Sequence, residues 1–387
     1  MRTKLLVSTL FLMTFVSFSQ TTVLIPDAAF EAYLEDEFVA NITPDGSTTD
    51  GSITFTDIDL VIDIDFNTPN VASPTTSVSD LTGVSSFPKL KYLIARNNDI
   101  TGNIDLSGLT SLSKIYIDNN PNLTGLGFTN CENLQQVKAS KCNLENLDLS
   151  TANLNTSDLN RLTDVDVDTN NLSVLNITGH TGIDYLDFGV NPSLTNIDIS
   201  SLTLLTLLRF QNCDITGDID VSANLALVTL AAYNNDNLTS IALGSIPYTN
   251  FTYFKINSND ALTCVYSDNP TDFEIGGALN TAIGSSYAAD AETFFIEDAL
   301  TCSLLAVEDV DLINFNIYPN PAKDIINIHI TEDVTYKILN MNGQILESGK
   351  FIIGNNELNL ITFSKGMYFF QIATESGNSF AQKLIKE

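Results

Sequence analysis

The 387-residue sequence has no tryptophan, only two histidines, five cysteines, and 17 Lys plus Arg against 47 Asp plus Glu. A formal net charge of −30 repels nucleic acid and anionic lipid surfaces, so neither is an expected partner. His180, in an apolar slot, and His329, outward on a strand, have no Cys or Ser nucleophile at a workable spacing. HExxH, phosphate-loop and GxSxG patterns are absent as well. Long apolar runs are also missing. The Leu5–Val16 run holds twelve residues, short of the roughly 20 a helix needs to span a bilayer. With Arg2 and Lys4 before it and Ser17-Phe18-Ser19 after it, residues 1–19 read as a secretory signal peptide. No Cys lies near the cut, which argues against a lipid anchor, and no later segment is apolar enough to cross a membrane.

What the chain does have is a phrase, apolar-x-x-apolar-x-apolar-x-x-Asn/Cys, that recurs eight times between about Leu81 and Leu262. It begins as Leu90-Leu93-Ala95-Asn98, Leu112-Ile115-Ile117-Asn120, Leu134-Val137-Ala139-Cys142 and Leu162-Val165-Val167-Asn170. It continues as Ile183-Leu186-Phe188-Asn191, Leu205-Leu208-Phe210-Cys213, Leu227-Leu230-Ala232-Asn235 and Phe251-Phe254-Ile256-Asn259. The closing residues are 22, 22, 28, 21, 22, 22 and 24 apart, a period of 22 with one insertion near Asn155. The phrase resembles the leucine-rich repeat. A lone coil cannot bury its apolar edge, whereas stacked coils share a continuous core. The inward pair in each phrase alternates with period two, which predicts a short strand in a parallel sheet. A second apolar pair follows half a turn later (Ile104/Leu106, Leu126/Phe128, Leu147/Leu149 and onward), in a span too short for a full helix. In that row Asp105, Asp148, Asp198 and Asp220 each precede a Ser by two places, which predicts a solvated, hydroxyl-assisted ladder.

The resemblance implies a mainly β fold: a solenoid of about eight 22-residue coils over residues 81–263, between caps. Residues 20–80 read as the N-terminal cap. Asp27 precedes a helically spaced run from Ala28 to Phe38, and the IPDAAFEAYL opening resembles other secreted repeat proteins of Bacteroidetes. The Asp45–Asp65 stretch departs twice from a calcium loop, with Gly46 at the first ligand position and Asp57 at the twelfth. The alternative is a turn feeding a strand over Ile58–Phe66 that covers the open end of the stack. Residues 264–311 read as a C-terminal cap and linker, with Gly276-Gly277, Gly284-Ser285-Ser286 and then Glu308, Asp309 and Asp311.

The cysteines divide by position. Cys142 and Cys213 take the Asn slot three coils apart, about 14 Å at one strand spacing per coil and too far for a disulfide. Cys131, three residues before Leu134, falls where other coils hold Leu109, Leu159 and Leu202, and is expected as a buried thiol. Cys264 and Cys302 remain, and a bridge between them fits an oxidising location.

Residues 312–387 change in texture to a small β-sandwich. It carries Tyr318-Pro319-Asn320-Pro321-Ala322, a hairpin at Asn342-Gly343, Lys365-Gly366-Met367-Tyr368 and a Lys383-Leu384-Ile385-Lys386 end. Together they resemble the type A sorting domain of the Bacteroidetes type IX secretion system. That resemblance implies handling by the type IX machinery, passage via the periplasm to the outer surface or beyond, and removal of the domain near the linker.

The outward residues of the first strand in each coil form the candidate site: Tyr92, Arg96, Lys114, Tyr116, Asp118, Lys138, Asp164, Asp166, Asp168, Tyr185, Asp187, Arg209, Tyr233, Tyr253 and Lys255. All 24 such positions together hold five of the twelve tyrosines and five of the 17 cations. Tyr suits an exposed strand, but that does not account for so many cations in a chain this poor in them. Asp164, Asp166 and Asp168 offer paired carboxylates, yet on a solvated strand they are expected to keep ordinary acidity, without the burial an acid catalyst needs. The expectation is an exported, non-enzymatic protein-binding or adhesion protein that uses this concave face on an unknown protein or glycan, with no cofactor. The alternatives are a structural surface or matrix spacer without specific ligand, and a divalent-cation-dependent adhesin.

Overall fold

The computed structural model describes residues 20–43, 50–67, 77–153, 161–297, 316–341, 343–374 and 379–387. Residues 1–19, read from the sequence as a signal peptide, lie outside these residues, as do Gly46, Thr48, Asn155, Leu159, Cys302, Glu308, Asp309, Asp311 and Asn342. The chain divides into two compact units, Met1–Phe295 and Ile296–Glu387, so the division falls within the stretch read from sequence as cap and linker.

In the first unit the helix Ala28–Glu37 starts where Asp27 Oδ1 accepts the backbone N–H groups of Ala29 (3.0 Å) and Phe30 (2.9 Å). The other Asp27 oxygen accepts from Ser79 N–H (2.8 Å), Ser79 Oγ (2.7 Å) and Asp80 N–H (3.1 Å), which ties the helix to the first coil. Phe30, Tyr33 and Leu34 face the core, with Phe30 and Tyr33 against Phe66 at 5.6 and 4.6 Å between ring centroids. The predicted Ile58–Phe66 strand is corrected. Asp57 accepts from Asp59 N–H and starts a 3-10 turn over Ile58–Leu60, leaving only Asp63–Asp65 extended. An earlier strand, Ser52–Phe55, pairs antiparallel with Thr21–Leu24.

The main element is a ten-stranded parallel sheet. Its members in order are Asp63–Asp65, Tyr92–Ile94, Lys114–Tyr116, Gln136–Lys138, Asp164–Asp166, Tyr185–Asp187, Leu207–Arg209, Thr229–Ala231, Tyr253–Lys255 and Tyr287–Ala288. The register sets Leu93, Ile115, Val137, Val165, Leu186, Leu208, Leu230 and Phe254 side by side, and all eight are fully buried. One strand beyond the phrases extends each end: Asp63–Asp65 from the N-terminal cap and Tyr287–Ala288 from the C-terminal one.

Each strand is left through one residue in the left-handed region: Asn97, Asn119, Lys141, Thr169, Val190, Asn212, Asn234 and Ser258, with φ between 54° and 60°. The next residue is the Asn or Cys of the phrase. Asn120 Nδ2 donates to the carbonyls of Ala95 (2.9 Å) and Ile117 (2.7 Å), while its Oδ1 accepts from Ile100 N–H (3.1 Å). Asn170, Asn191 and Asn235 bridge adjacent coils the same way, so buried backbone groups at each turn find partners. Cys142 and Cys213 make one weaker link each, Sγ to the carbonyls of Ile117 and Phe188, both at 3.4 Å.

The second apolar row is buried in short extended pieces, Thr101–Asp105 beside Asn122–Gly127 and Asn146–Asp148 beside Val174–Asn176. A four-stranded sheet, Gly217–Asp220, Leu238–Gly244, Cys264–Ser267 and Phe294–Ile296, completes it. The aspartates of this row are exposed, and each is held by the serine two residues on. Asp148 and Asp198 each accept from the backbone and the hydroxyl of the serine two residues on, and Asp105 and Asp220 accept from that serine's N–H. Those serine contacts hold Asp105 and Asp198 below the usual carboxylate range.

In the second unit a three-stranded antiparallel sheet (Asn316–Tyr318, Ile325–Ile330, Gly354–Asn359) and a four-stranded one (Ile345–Phe351, Val334–Leu339, Gly366–Thr374, Ser379–Lys386) share one apolar cluster. Ile326, Ile328 and Ile330 enter it from the first sheet, and Ile338, Phe370 and Ile372 from the second. Asn320 of the Tyr-Pro-Asn-Pro-Ala motif lies along the last strand, donating to Lys383 O (2.6 Å) and accepting from Ile385 N–H (2.8 Å). Gly343 turns with φ 71°, its N–H bonded to Asn340 O at 3.0 Å.

Candidate functional site

The candidate residues sit on the outer face of the ten-stranded sheet because each phrase buries its middle residue and leaves both neighbours facing out. Stacking then aligns residues 22 or so apart in sequence. Tyr92 is followed across the sheet by Lys114, whose Nζ lies 5.9 Å from the Tyr92 ring centroid. Arg96 Nε contacts Asp118 Oδ2 at 2.7 Å, and its guanidinium lies 4.5 Å over the Tyr116 ring. The other Asp118 oxygen accepts from Ser140 N–H (3.2 Å) and Oγ (3.0 Å), and Tyr116 OH donates to Gln136 Oε1. Lys138 Nζ meets Asp164 Oδ2 at 3.1 Å and lies 5.8 and 5.6 Å from the ring centroids of Tyr116 and Tyr185. Arg209 Nη1 meets Asp187 Oδ2 at 3.5 Å. Thus the run from Arg96 to Arg209 alternates cation, ring and carboxylate, already paired within itself.

Lys255 and Tyr253 form a separate pair, 5.2 Å apart, toward the C-terminal end. Burial first, and then neighbouring Tyr253, raise the Tyr233 phenol. Asp168 Oδ2 accepts from the Thr169 hydroxyl at 2.7 Å.

The expectation that Asp164, Asp166 and Asp168 stay solvated and ordinary is corrected at Asp166, and its neighbour Asp187 departs in the same direction. Asp187 is only 6% exposed, and burial raises its carboxyl even though Gly189 N–H and Arg209 oppose the shift. Asp166 is pushed up to about 7, first by burial and then by Asp187 and Asp168. The same crowding pushes the Tyr185 phenol up to about 12, burial again leading. The physical cause is lateral. Side chains of three neighbouring strands, about 4.8 Å apart, shade one another from water in a way one strand's alternation does not reveal. Asp164 Oδ1, Asp166 Oδ1 and Gln211 Oε1 are buried without a hydrogen-bond partner.

Other candidate groups are structural. His180 is 3% exposed, its Nε2 sits 2.7 Å from Leu149 O, and burial lowers its imidazole. His329 is exposed beside Asn355 Oδ1. Burial pushes the Cys131 and Cys142 thiols up to about 11 and that of Cys213 up to about 12, leaving them poor nucleophiles. Cys264 is disulfide-bonded and buried, while Cys302 lies outside the described residues.

Residues missed from the sequence come from the N-terminal cap. Asp63 and Asp65 pair in register with Tyr92 and Ile94, and Asn67 brackets the Arg96 backbone, accepting its N–H at 3.1 Å and donating to its O at 3.2 Å. Their signal in the sequence is the Asp63-Ile64-Asp65-Phe66 alternation, which buries Ile64 and leaves Asp63 and Asp65 on the outer face beside Tyr92 and Ile94. Among the described residues no group of three or more His, Cys, Asp or Glu is placed to hold a metal ion.

Residues 316–387 match the family described as the secretion system C-terminal sorting domain. That domain marks proteins secreted by the type IX system to the cell surface or outside. No helix among the described residues is long and apolar enough to cross a membrane. No curated protein matches the chain. Among solved structures it is similar to the functional domain of InlJ from Listeria monocytogenes, described as including a cysteine ladder, at 16% identity and TM-score 0.25, over 95% of this chain and 99% of that one. It is similar also to a secreted internalin-like protein of Listeria monocytogenes, at 13% identity and TM-score 0.20, over 94% and 99%. Neither overlay is close enough to define the fold, which rests on the strand pairing above.

Proposed function

We propose that this chain, addressed to the exterior by its sorting domain, is a non-enzymatic binding or adhesion protein whose solenoid of about eight coils presents a concave face to a protein or glycan. The observation that carries the reading is the run Arg96–Tyr116–Lys138–Tyr185. There, cations and rings are held in fixed register by salt bridges and ring contacts on one face. Pre-positioned aromatic and cationic side chains lose little freedom on binding, and Tyr and Arg are common anchors at interfaces. The half-buried tyrosines supply flat apolar area beside hydrogen-bonding groups, which suits a sugar ring or a peptide. The −30 net charge speaks against a polyanionic ligand. A glycan and protein array probed with the full-length protein tests this, and retention of no component at any concentration would overturn it.

One observation favours a spacer without a ligand: Arg96, Lys138 and Arg209 are already paired to carboxylates within the face. The cation-dependent alternative gains no support from the side-chain arrangement among the described residues.

A further inference from the structure

We propose that Asp166 and Asp187, side by side on adjacent strands with Asp168 on the same face, form a crowded carboxylate group whose protonation changes the charge and the stability of the repeat sheet. The inference concerns the folded chain alone and stands whether or not the face binds a partner.

In-register parallel pairing places Asp166 directly beside Asp187 on the next strand. Strand alternation puts Asp168 on the same side as Asp166. Like charges directly opposite one another in a sheet repel. The two nearby cations pair with other carboxylates, Lys138 with Asp164 at 3.1 Å and Arg209 with Asp187, inside the group, at 3.5 Å, so the group of three carboxylates has one cation for itself and Asp166 is not the one that holds it. Asp166 itself receives the Asp168 backbone N–H, while its Oδ1 is buried with no hydrogen-bond partner.

The groups that face Asp166 are these. Its own strand contributes Asp164 and Asp168. The Gln136–Lys138 strand contributes Lys138, with Asp118 one strand further on, and the Tyr185–Asp187 strand contributes Tyr185 and Asp187, with Arg209 beyond. Carboxylates outnumber cations in this set, and the side chain between them has lost most of its water. Ionising Asp166 therefore works against both desolvation and repulsion, and its carboxyl is pushed up to about 7. The Asp187 carboxyl is raised as well, by burial first, although Gly189 N–H and Arg209 oppose the shift.

The sign of the stability effect follows. In the unfolded chain an aspartate titrates near 3.9, about three units lower. Between roughly pH 4 and 7 the folded state holds a proton that the unfolded state has released. Stability therefore falls as pH rises through this window, and the full penalty is present above about pH 7. The same step adds negative charge to the centre of the sheet.

The test compares full-length protein with the Asp166→Asn variant by thermal melting from pH 5 to pH 8, together with carbon-13 titration of labelled aspartate carboxyls in the wild type. The wild type should lose melting temperature across the range, and Asp166→Asn should lose clearly less. One carboxyl resonance should titrate near pH 7. Equal pH dependence in the two proteins overturns the proposal. Should the variant not fold, the wild-type titration decides alone: every aspartate carboxyl titrating below pH 5 overturns it.

Discussion

Lys138 reaches Asp164 from the neighbouring strand at 3.1 Å, with both side chains mostly shielded and Asp164 Oδ1 left without a partner. The contact holds the Lys138 ammonium between the Tyr116 and Tyr185 rings. Replacing Lys138 by Met keeps the aliphatic stem but strands a carboxylate in a shaded position. The expected loss is about 1–3 kcal/mol, the usual penalty for an orphaned buried acceptor. Lys138→Met combined with Asp164→Asn should recover most of it, because both charges go together. Melting of the two variants checks this; no recovery in the double variant would show that Lys138 acts through its rings and not its ion pair.

The tyrosines test binding separately from folding. Tyr116, Tyr185 and Tyr233 are half-buried on the sheet face and outside the apolar core. Changing all three to Ala should leave the fold intact and abolish adhesion to whatever surface the wild type binds. Leu186→Asp or Ile117→Asp should instead unfold the stack, since both residues are fully buried and each coil leans on its neighbours. Melting and a surface-adhesion assay together decide. Unchanged adhesion in the triple variant moves the spacer reading ahead.

The phrase made the register of the sheet legible in advance, because the residue it marks as inward, from Leu93 to Phe254, is buried in every copy. The same pattern carried the Asn slot and the outward columns. Two things were not legible. The Tyr287–Ala288 strand lacks the phrase, because an end coil has a neighbour on one side only and needs no full repeat, whereas the strand at the other end, expected over Ile58–Phe66, forms only at Asp63–Asp65. The burial of Asp166 and Asp187 depends on what stands beside them in space. The chain is read along a strand, whereas crowding acts across strands more than twenty residues apart.

Cys264 is buried and disulfide-bonded at the C-terminal end of the stack. Pairing with Cys302 is the reading that the remaining cysteines favour, since Cys131, Cys142 and Cys213 are free thiols. Cys264→Ser and Cys302→Ser should then lower stability by the same amount, about 2–5 kcal/mol, under oxidising conditions. With a reductant present, wild type and variants should converge. Unequal losses, or a mass showing free thiols at both positions in the wild type, would refute the pairing.

The last prediction comes from the turns. At the left-handed position that ends each strand, four of the eight residues are Asn, which tolerates this geometry. Val190 holds φ 55° there, although a β-branched side chain in this region crowds its own backbone. The strain costs roughly 1–2 kcal/mol. Its backbone contacts do not depend on the side chain: Val190 N–H donates to Gln211 O at 2.6 Å, and its carbonyl accepts from Asn170 N–H at 3.2 Å. Val190→Asn should therefore keep those bonds and relieve the strain, at the loss of half-buried methyl groups. Asn119 and Asn234 in the same slot donate to the Asn one coil earlier, at 2.9 and 2.6 Å, so an Asn at 190 also brings donors suited to this rim. A net gain of roughly 1 kcal/mol corresponds to a rise in melting temperature of about 2–4 °C for a unit of this size. The reverse change, Asn234→Val, loses the rim hydrogen bond and acquires the strain, and should cost more than the first change gains. If Val190→Asn melts lower than wild type, the valine methyls outweigh the backbone and the strain argument fails at this turn.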